Sequence, residues 1–373
     1  MFLTSGEAIY ALIEDEMPSI LSQSAGVAIY YYLRHRATGS PAHLERAQAL
    51  FEAKVAIALA PGALPPARGL AGLAWLQAHL PAAGCTEALQ QLDERLFAHA
   101  RLLLAAPTAG GSAELWRLLH YFAKRLAARD VAHYLHDLLA GLGRPATCAA
   151  LARAGIAGGQ LLPLGAVGSL TSEIVLLAEI GAASIQPALV QQQIQQRVTK
   201  LLATKGEIDF SAGRYSAFPA MVDKAGNSLF SNQLSWARGA DLGASLALYN
   251  AHSLLGDAEL RNIAELVGLN TLLRTGPGAT RLAGAQFCRG ALGVAYAYAR
   301  LHMLSRHPAY QRAYHYWCGR AEQWLQAELA AGYYQQRRTD SLCGALGVGL
   351  MLLFAAAPAD APLHAEAIAA SQH

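Results

Sequence analysis

The chain has 373 residues and a formal charge of +3, too mild a basic excess for a nucleic-acid surface, and no cluster of Lys and Arg interleaved with aromatics stands out to supply one. With 54% hydrophobic and 15% charged residues, it can bury a large core, yet its apolar stretches are broken by His, Arg, Glu or Gln before the roughly 20 residues that span a bilayer. A soluble protein without a transmembrane segment is expected. Residues Met1 to Ile20 carry Glu7, Glu14, Asp15 and Glu16, with no basic segment ahead of an uninterrupted apolar core, so they do not read as a secretory signal and the cytoplasm is the default compartment. Five cysteines (Cys85, Cys148, Cys288, Cys318, Cys343) lie far apart with no C-x-x-C. That pattern reads as free thiols in a reducing compartment.

Ala and Leu far outnumber Val and Thr, which favours helix throughout. In chain order, a glycine-led apolar helix recurs. Gly26 precedes VAIYYYLRH, Gly69 to Gly72 lead into LAWLQAHL, and Gly111 precedes SAELWRLLHYFA. Gly165 to Gly168 lead into SLTSEIVLLAEI, Gly243 precedes ASLALYNAHSLL, Gly290 to Gly293 lead into VAYAYARLHML, and Gly344 to Gly347 lead into VGLMLLFAAA. Four of the seven are full G-x-x-G units and three keep only the second glycine. Between them, His43 to Leu59, Thr86 to Leu104, Ile185 to Leu202, Ala258 to Leu273 and Ala309 to Leu329 carry charge on one face at helical spacing. Loops are expected at Pro61 to Pro66, Gly141 to Thr147, Asp209 to Ser231 and Gly276 to Ala285, none with the make-up of an interdomain linker.

Apolar inner helices alternating seven times with amphipathic outer ones predict an all-α, (α/α)7 double-ring toroid, a single domain over 1–373. The glycines would let inner helices converge and supply the turn that starts each one. The His133 and His136 pair, three apart on a helix, is too small a set for a metal and reads as a solvated face.

Three segments add a resemblance. Ser235-Trp-Ala-Arg-Gly-Ala-Asp-Leu-Gly243 is similar to the Trp-Cys-x-Gly-x-x-Gly zinc segment of the LanC-like (lanthionine synthetase C-like) peptide cyclases. Phe287-Cys-Arg-Gly-Ala-Leu-Gly293 resembles the Cys-His-Gly segment of that family, and Asp340-Ser-Leu-Cys-Gly-Ala-Leu-Gly347 its terminal repeat. The loop FPAMVDKAGN before the tryptophan also fits. The resemblance implies a cytoplasmic toroid acting in maturation of a ribosomally synthesised, lanthipeptide-type peptide. It further implies one zinc, held by two cysteines and a histidine, that activates a substrate thiolate for addition to a dehydrated residue.

Residue by residue, that chemistry is missing. The first zinc cysteine falls on Ala237 or Arg238, depending on whether the tryptophan or the following helix is aligned. The second is Cys288, and the histidine position is Arg289, which cannot ligate metal. Cys343 offers a second thiol, still short of three protein ligands. The acid/base histidine slot holds Leu164, an arginine ahead of the tryptophan is replaced by Gln233, and AAPTAGGSAE has no counterpart of a further aspartate. No zinc or other cofactor is therefore expected, and the family's cavity positions hold Arg68, Leu164, Arg289 and Cys343, with Arg238 close by.

Two readings of the arginines stand side by side. Arg68, Arg238 and Arg289 form an anion site with Trp236, Cys288 and Cys343 around it, or they pair internally with Asp241 and Asp340. Cys288 and Trp236 also read more plainly as core residues. The function expected is that of a catalytically degenerate LanC-like protein that binds precursor peptide or a partner such as a dehydratase or an intact LanC-like cyclase. The alternative is a metal-independent enzyme with Cys288 as nucleophile and the arginines as anion stabilisers. A sugar-active (α/α) barrel would place paired carboxylates at the inner-helix starts, where none is evident.

Overall fold

The computed structural model describes residues 3–15, 25–60, 69–80, 86–106, 110–127, 131–147, 150, 162–164, 169–223, 225–282, 284–336 and 343–356. Arg68, Asp340, Cys85, Cys148, the 165–168 glycine unit and the expected loop at 61–66 lie outside them. Helix accounts for 74% of the described residues, against three strands of two residues each, so the all-α reading holds. The chain divides into two compact units, Met1–Gly155 with Gly332–His373, and Ile156–Ala331.

The first unit contains α1 (Leu3–Asp15), α2 (Ala25–Thr38), α3 (Pro41–Leu59), α4 (Leu70–His79), α5 (Thr86–Ala105), α6 (Gly111–Arg125) and α7 (Ala132–Leu142). The second contains α8 (Leu170–Ala182), α9 (Pro187–Leu202), α10 (Ala240–Leu255), α11 (Ala258–Thr271), the single turn α12 (Pro277–Thr280), α13 (Ala291–Ser305) and α14 (Pro308–Ala330). A final helix, α15 (Ala345–Ala356), returns to the first unit. The seven glycine-led helices are α2, α4, α6 and α15 in the first unit and α8, α10 and α13 in the second.

Within each unit these helices form a row with amphipathic helices behind it. In the first unit α15 packs on α2, α2 on α4 and α4 on α6, while α3, α5 and α7 follow one another alongside. The second unit has the row α8, α10, α13, each forming a hairpin with its successor α9, α11 or α14. Burial follows composition. Every residue of α2 from Ala25 to Leu33 and of α13 from Ala291 to Tyr298 is buried, as expected of a helix apolar all round. The outer helix α5 buries only Leu89, Leu92, Asp93, Leu96, Ala100 and Leu103, a stripe at helical spacing. Proline at the first turn starts α3, α9 and α14, where its missing N–H is no loss.

Two expected loops carry structure. The 209–231 segment contains an antiparallel pair, β2 (Met221–Val222) and β3 (Ser228–Leu229), and β1 (Leu162–Pro163) adds to its edge in the order β1, β2, β3. Asp223 turns this hairpin by accepting from the backbone N–H groups of Ala225 and Asn227 and from the Asn227 side chain. The expected loop at 141–147 is partly helical, since α7 runs to Leu142. There Gly141 meets the side chain of Leu104, so α5 and α7 cross where a side chain would not fit.

A candidate site at two helix entries

Two of the three segments that carry the resemblance become neighbouring turns in the second unit, one ending at the start of α10 and the other at the start of α13. They are joined by a backbone bond, with Ala237 N–H donating to Cys288 C=O at 3.0 Å. An aromatic cluster backs them. The Trp236 ring lies edge-on to Tyr296 at 4.8 Å and 6.1 Å from Phe287. Trp236 is buried and packs in this cluster.

Glycine is required here for space. A Cβ on Gly290 would run into the carbonyl oxygens of Gly284 and Gln286, and one on Gly293 would strike Phe287 C=O and come 2.8 Å from Cβ of Trp236. The second turn is further fixed by Glu328 of α14, whose carboxylate accepts from Ala285 N–H. In the first turn, Ser235 Oγ accepts from Arg238 N–H. Both helix starts are therefore fixed, and at α13 the N–H groups of Ala291 and Leu292 donate to the carbonyls of Gly284 and Ala285.

Arg238 and Arg289, each one residue past the bonded pair, are exposed, while Ala237 and Cys288 are half-buried. Neither arginine is in an ion pair among the described residues. A methyl group, two guanidinium groups and one thiol do not make a zinc site, which needs three protein ligands of the Cys, His or carboxylate kind. No group of three or more His, Cys, Asp or Glu able to hold a metal occurs among the described residues.

Asp241 turns inward. It is buried at 2% exposure, forms an ion pair with Arg274, and accepts from the backbone N–H groups of Ala217 and Phe218 at 3.1 and 2.8 Å. Arg274 also donates to Tyr215 C=O and Ser216 Oγ. Burial pushes the Asp241 carboxyl up, and Arg274 and the two N–H groups pull against it. Its partner is therefore Arg274, which follows α11, and neither Arg238 nor Arg289. Asp241 anchors the segment before the hairpin.

The remaining candidates are dispersed. Leu164 is fully buried just after β1, its N–H donating to Ala220 C=O. Gln233 is half-buried ahead of the first turn. Cys343 is half-buried before α15, in the other unit. His133 and His136 are both exposed on α7. Arg68 and Asp340 lie outside the described residues. Sequence reasoning missed a buried network in the first unit, where Asp93 of α5 takes a two-pronged grip from Arg125 (3.0 and 2.6 Å) and a bond from Tyr121 at 2.6 Å. The signal was present, since Asp93 sits in the apolar stripe of α5.

No helix among the described residues is long and apolar enough to cross a membrane. No protein-family model matches the sequence, and no curated protein matches it.

Proposed function

We propose that the chain is a LanC-like scaffold whose zinc chemistry has been erased. In this reading it serves maturation of a ribosomally synthesised, lanthipeptide-type peptide in the cytoplasm by binding the precursor peptide or a partner modification enzyme. The seven glycine-led helices are its inner ring, the amphipathic helices its outer one, and no cofactor takes part.

The observation that carries this reading is the paired turns. The Ala237 to Cys288 backbone bond holds two helix entries together, and the positions that would carry metal ligands in a cyclase carry Arg238 and Arg289 instead. Two exposed guanidinium groups favour an anion, and a peptide carboxylate meets the planar guanidinium fork with two parallel hydrogen bonds. Cys288 is half-buried in the second turn, and its own segment supplies no histidine that could act as a base in thiol addition.

The test uses purified protein, added zinc, and a dehydrated peptide that contains cysteine. The peptide binds, its thiol stays open to alkylation, and changing Arg238 and Arg289 together to Glu weakens binding by about tenfold or more. Loss of the free thiol through thioether formation, dependent on the protein, overturns the reading.

A further inference from the structure

From Leu266 to Ala321 the sequence has seven arginines and no Asp or Glu. One of the seven, Arg274, is accounted for by Asp241. The others have no ion pair among the described residues. On α14 two of them make a patterned surface. Arg312, Tyr316 and Arg320 follow at intervals of four, which puts them on one side of the helix at about 6 Å per step.

Arg312 is exposed, Tyr316 is 44% exposed and Arg320 is half-exposed. The head of Arg320 is held in place, 5.1 Å over the Trp324 ring and donating to Gln323 Oε1 at 2.9 Å. Tyr316 is likewise set edge-on against Trp317. Between the two arginines the shelf is open, since a Cβ on Gly319 would meet nothing within 4 Å. A linear reading of the sequence finds no basic cluster here because the arginines are eight residues apart, and only the helix puts them on one face.

We infer that this face of α14 is a docking strip for an extended acidic peptide carrying two carboxylates with an apolar residue between them. The Cα atoms of the two arginines are about 12 Å apart along the helix axis. In an extended chain, residues four apart lie on the same side at about 13 Å, with the residue midway between them also on that side. A segment of the form Glu-x-Leu-x-Glu therefore sets each carboxylate on one arginine and its leucine on the Tyr316 ring. Each carboxylate can take two parallel hydrogen bonds from its guanidinium. A nucleic acid fits less well, because its charge is continuous along the strand and a single helix face with two separated cations neutralises little of it. The strip is on an outer helix and does not depend on the turns at Arg238 and Arg289.

A short fluorescein-labelled peptide with one Glu-x-Leu-x-Glu motif, titrated with the full chain by fluorescence anisotropy, tests the inference. The peptide binds, its Gln-x-Leu-x-Gln version binds at least tenfold more weakly, and raising the salt weakens the complex. Arg312→Gln and Arg320→Gln each cost about tenfold, and Tyr316→Ala costs less. All these side chains are at the surface, and unchanged helical circular dichroism checks that each variant is folded. No peptide binding at millimolar protein, equal binding of the Gln peptide, or unchanged binding by the Arg312 and Arg320 variants overturns the inference. A single-stranded oligonucleotide held more tightly than the peptide through the same arginines overturns it as well.

Discussion

Each of the two units buries one aspartate against one arginine, and the two pairs have different tasks. In the first unit, Asp93 and Arg125 meet along two parallel bonds with Tyr121 as a third donor, so the network ties outer helix α5 to inner helix α6. In the second, Asp241 shares itself between Arg274 and the N–H groups of Ala217 and Phe218. That pair ties a loop as well as two helices. A like pair of residue types thus acts as helix-to-helix glue in one unit. In the other it fixes the segment leading to the candidate site.

Helix entry divides along the same line. Gly69 and Gly110 start α4 and α6 with φ of +87° and +88°, in the left-handed region, and a Cβ on either would meet open space. Gly290 starts α13 with an extended backbone, and its glycine is needed because neighbouring carbonyls leave no room. At Gly69 and Gly110 glycine is chosen for conformation, and at Gly290 for close approach.

The largest expected effect is on the buried pairs. Arg125→Met and Arg274→Met each leave a carboxylate buried without its cation and cost about 3–5 kcal/mol, read from urea midpoints. Only the second unit should also lose its loop. Asp241→Asn exposes the 209–231 segment to limited proteolysis, whereas Asp93→Asn does not. Equal proteolysis of the two variants would erase the distinction between glue and anchor.

Next come the glycines. Gly293→Ala forces a methyl group against Phe287 C=O and Cβ of Trp236 and costs about 1–3 kcal/mol, with the loss felt at the Trp236 turn. Gly69→Ala costs about 1–2 kcal/mol from backbone strain alone. The two separate by fluorescence, because only Gly293→Ala disturbs the surroundings of Trp236.

Much of this was legible in the sequence. The seven glycine-led helices and their amphipathic neighbours could be read because burial on one face or all round leaves a periodic trace. The two turns at Trp236 and Cys288 were legible as motifs. Their juxtaposition was not, because a backbone bond between Ala237 and Cys288 carries no side-chain signature. The strands at 221–222 and 228–229 are too short to show alternation. Arg274 as the partner of Asp241 was not legible, because the fold brings it from the end of α11, 33 residues further along the chain.

Smaller effects concern the thiols and the hairpin. Burial pushes the Cys318 thiol up to about 11, so iodoacetamide at pH 8 labels half-buried Cys288 well before Cys318, as peptide mass spectrometry would show. The reverse order would mean that the second turn is more tightly closed than described. The smallest effect is at Asp223, held below the usual carboxylate range by its bonds from the Asn227 side chain and then the Asn227 backbone. Because the folded value is depressed, its contribution to the turn is present at neutral pH and is lost as the pH falls through that lowered value. Amide shifts of Ala225 and Asn227 should move there together, and independent titration would argue against a shared carboxylate.

The proposal that the paired turns keep the framework of a metal centre and have lost its ligands is tested most directly by titrating zinc into the native chain. The same titration is run on chains carrying Arg289→His with either Ala237→Cys or Arg238→Cys. The account predicts no stoichiometric zinc on the native chain and one equivalent on one of the two variants, where two thiols and an imidazole would converge. One zinc bound by the native chain, or none by either variant, contradicts it.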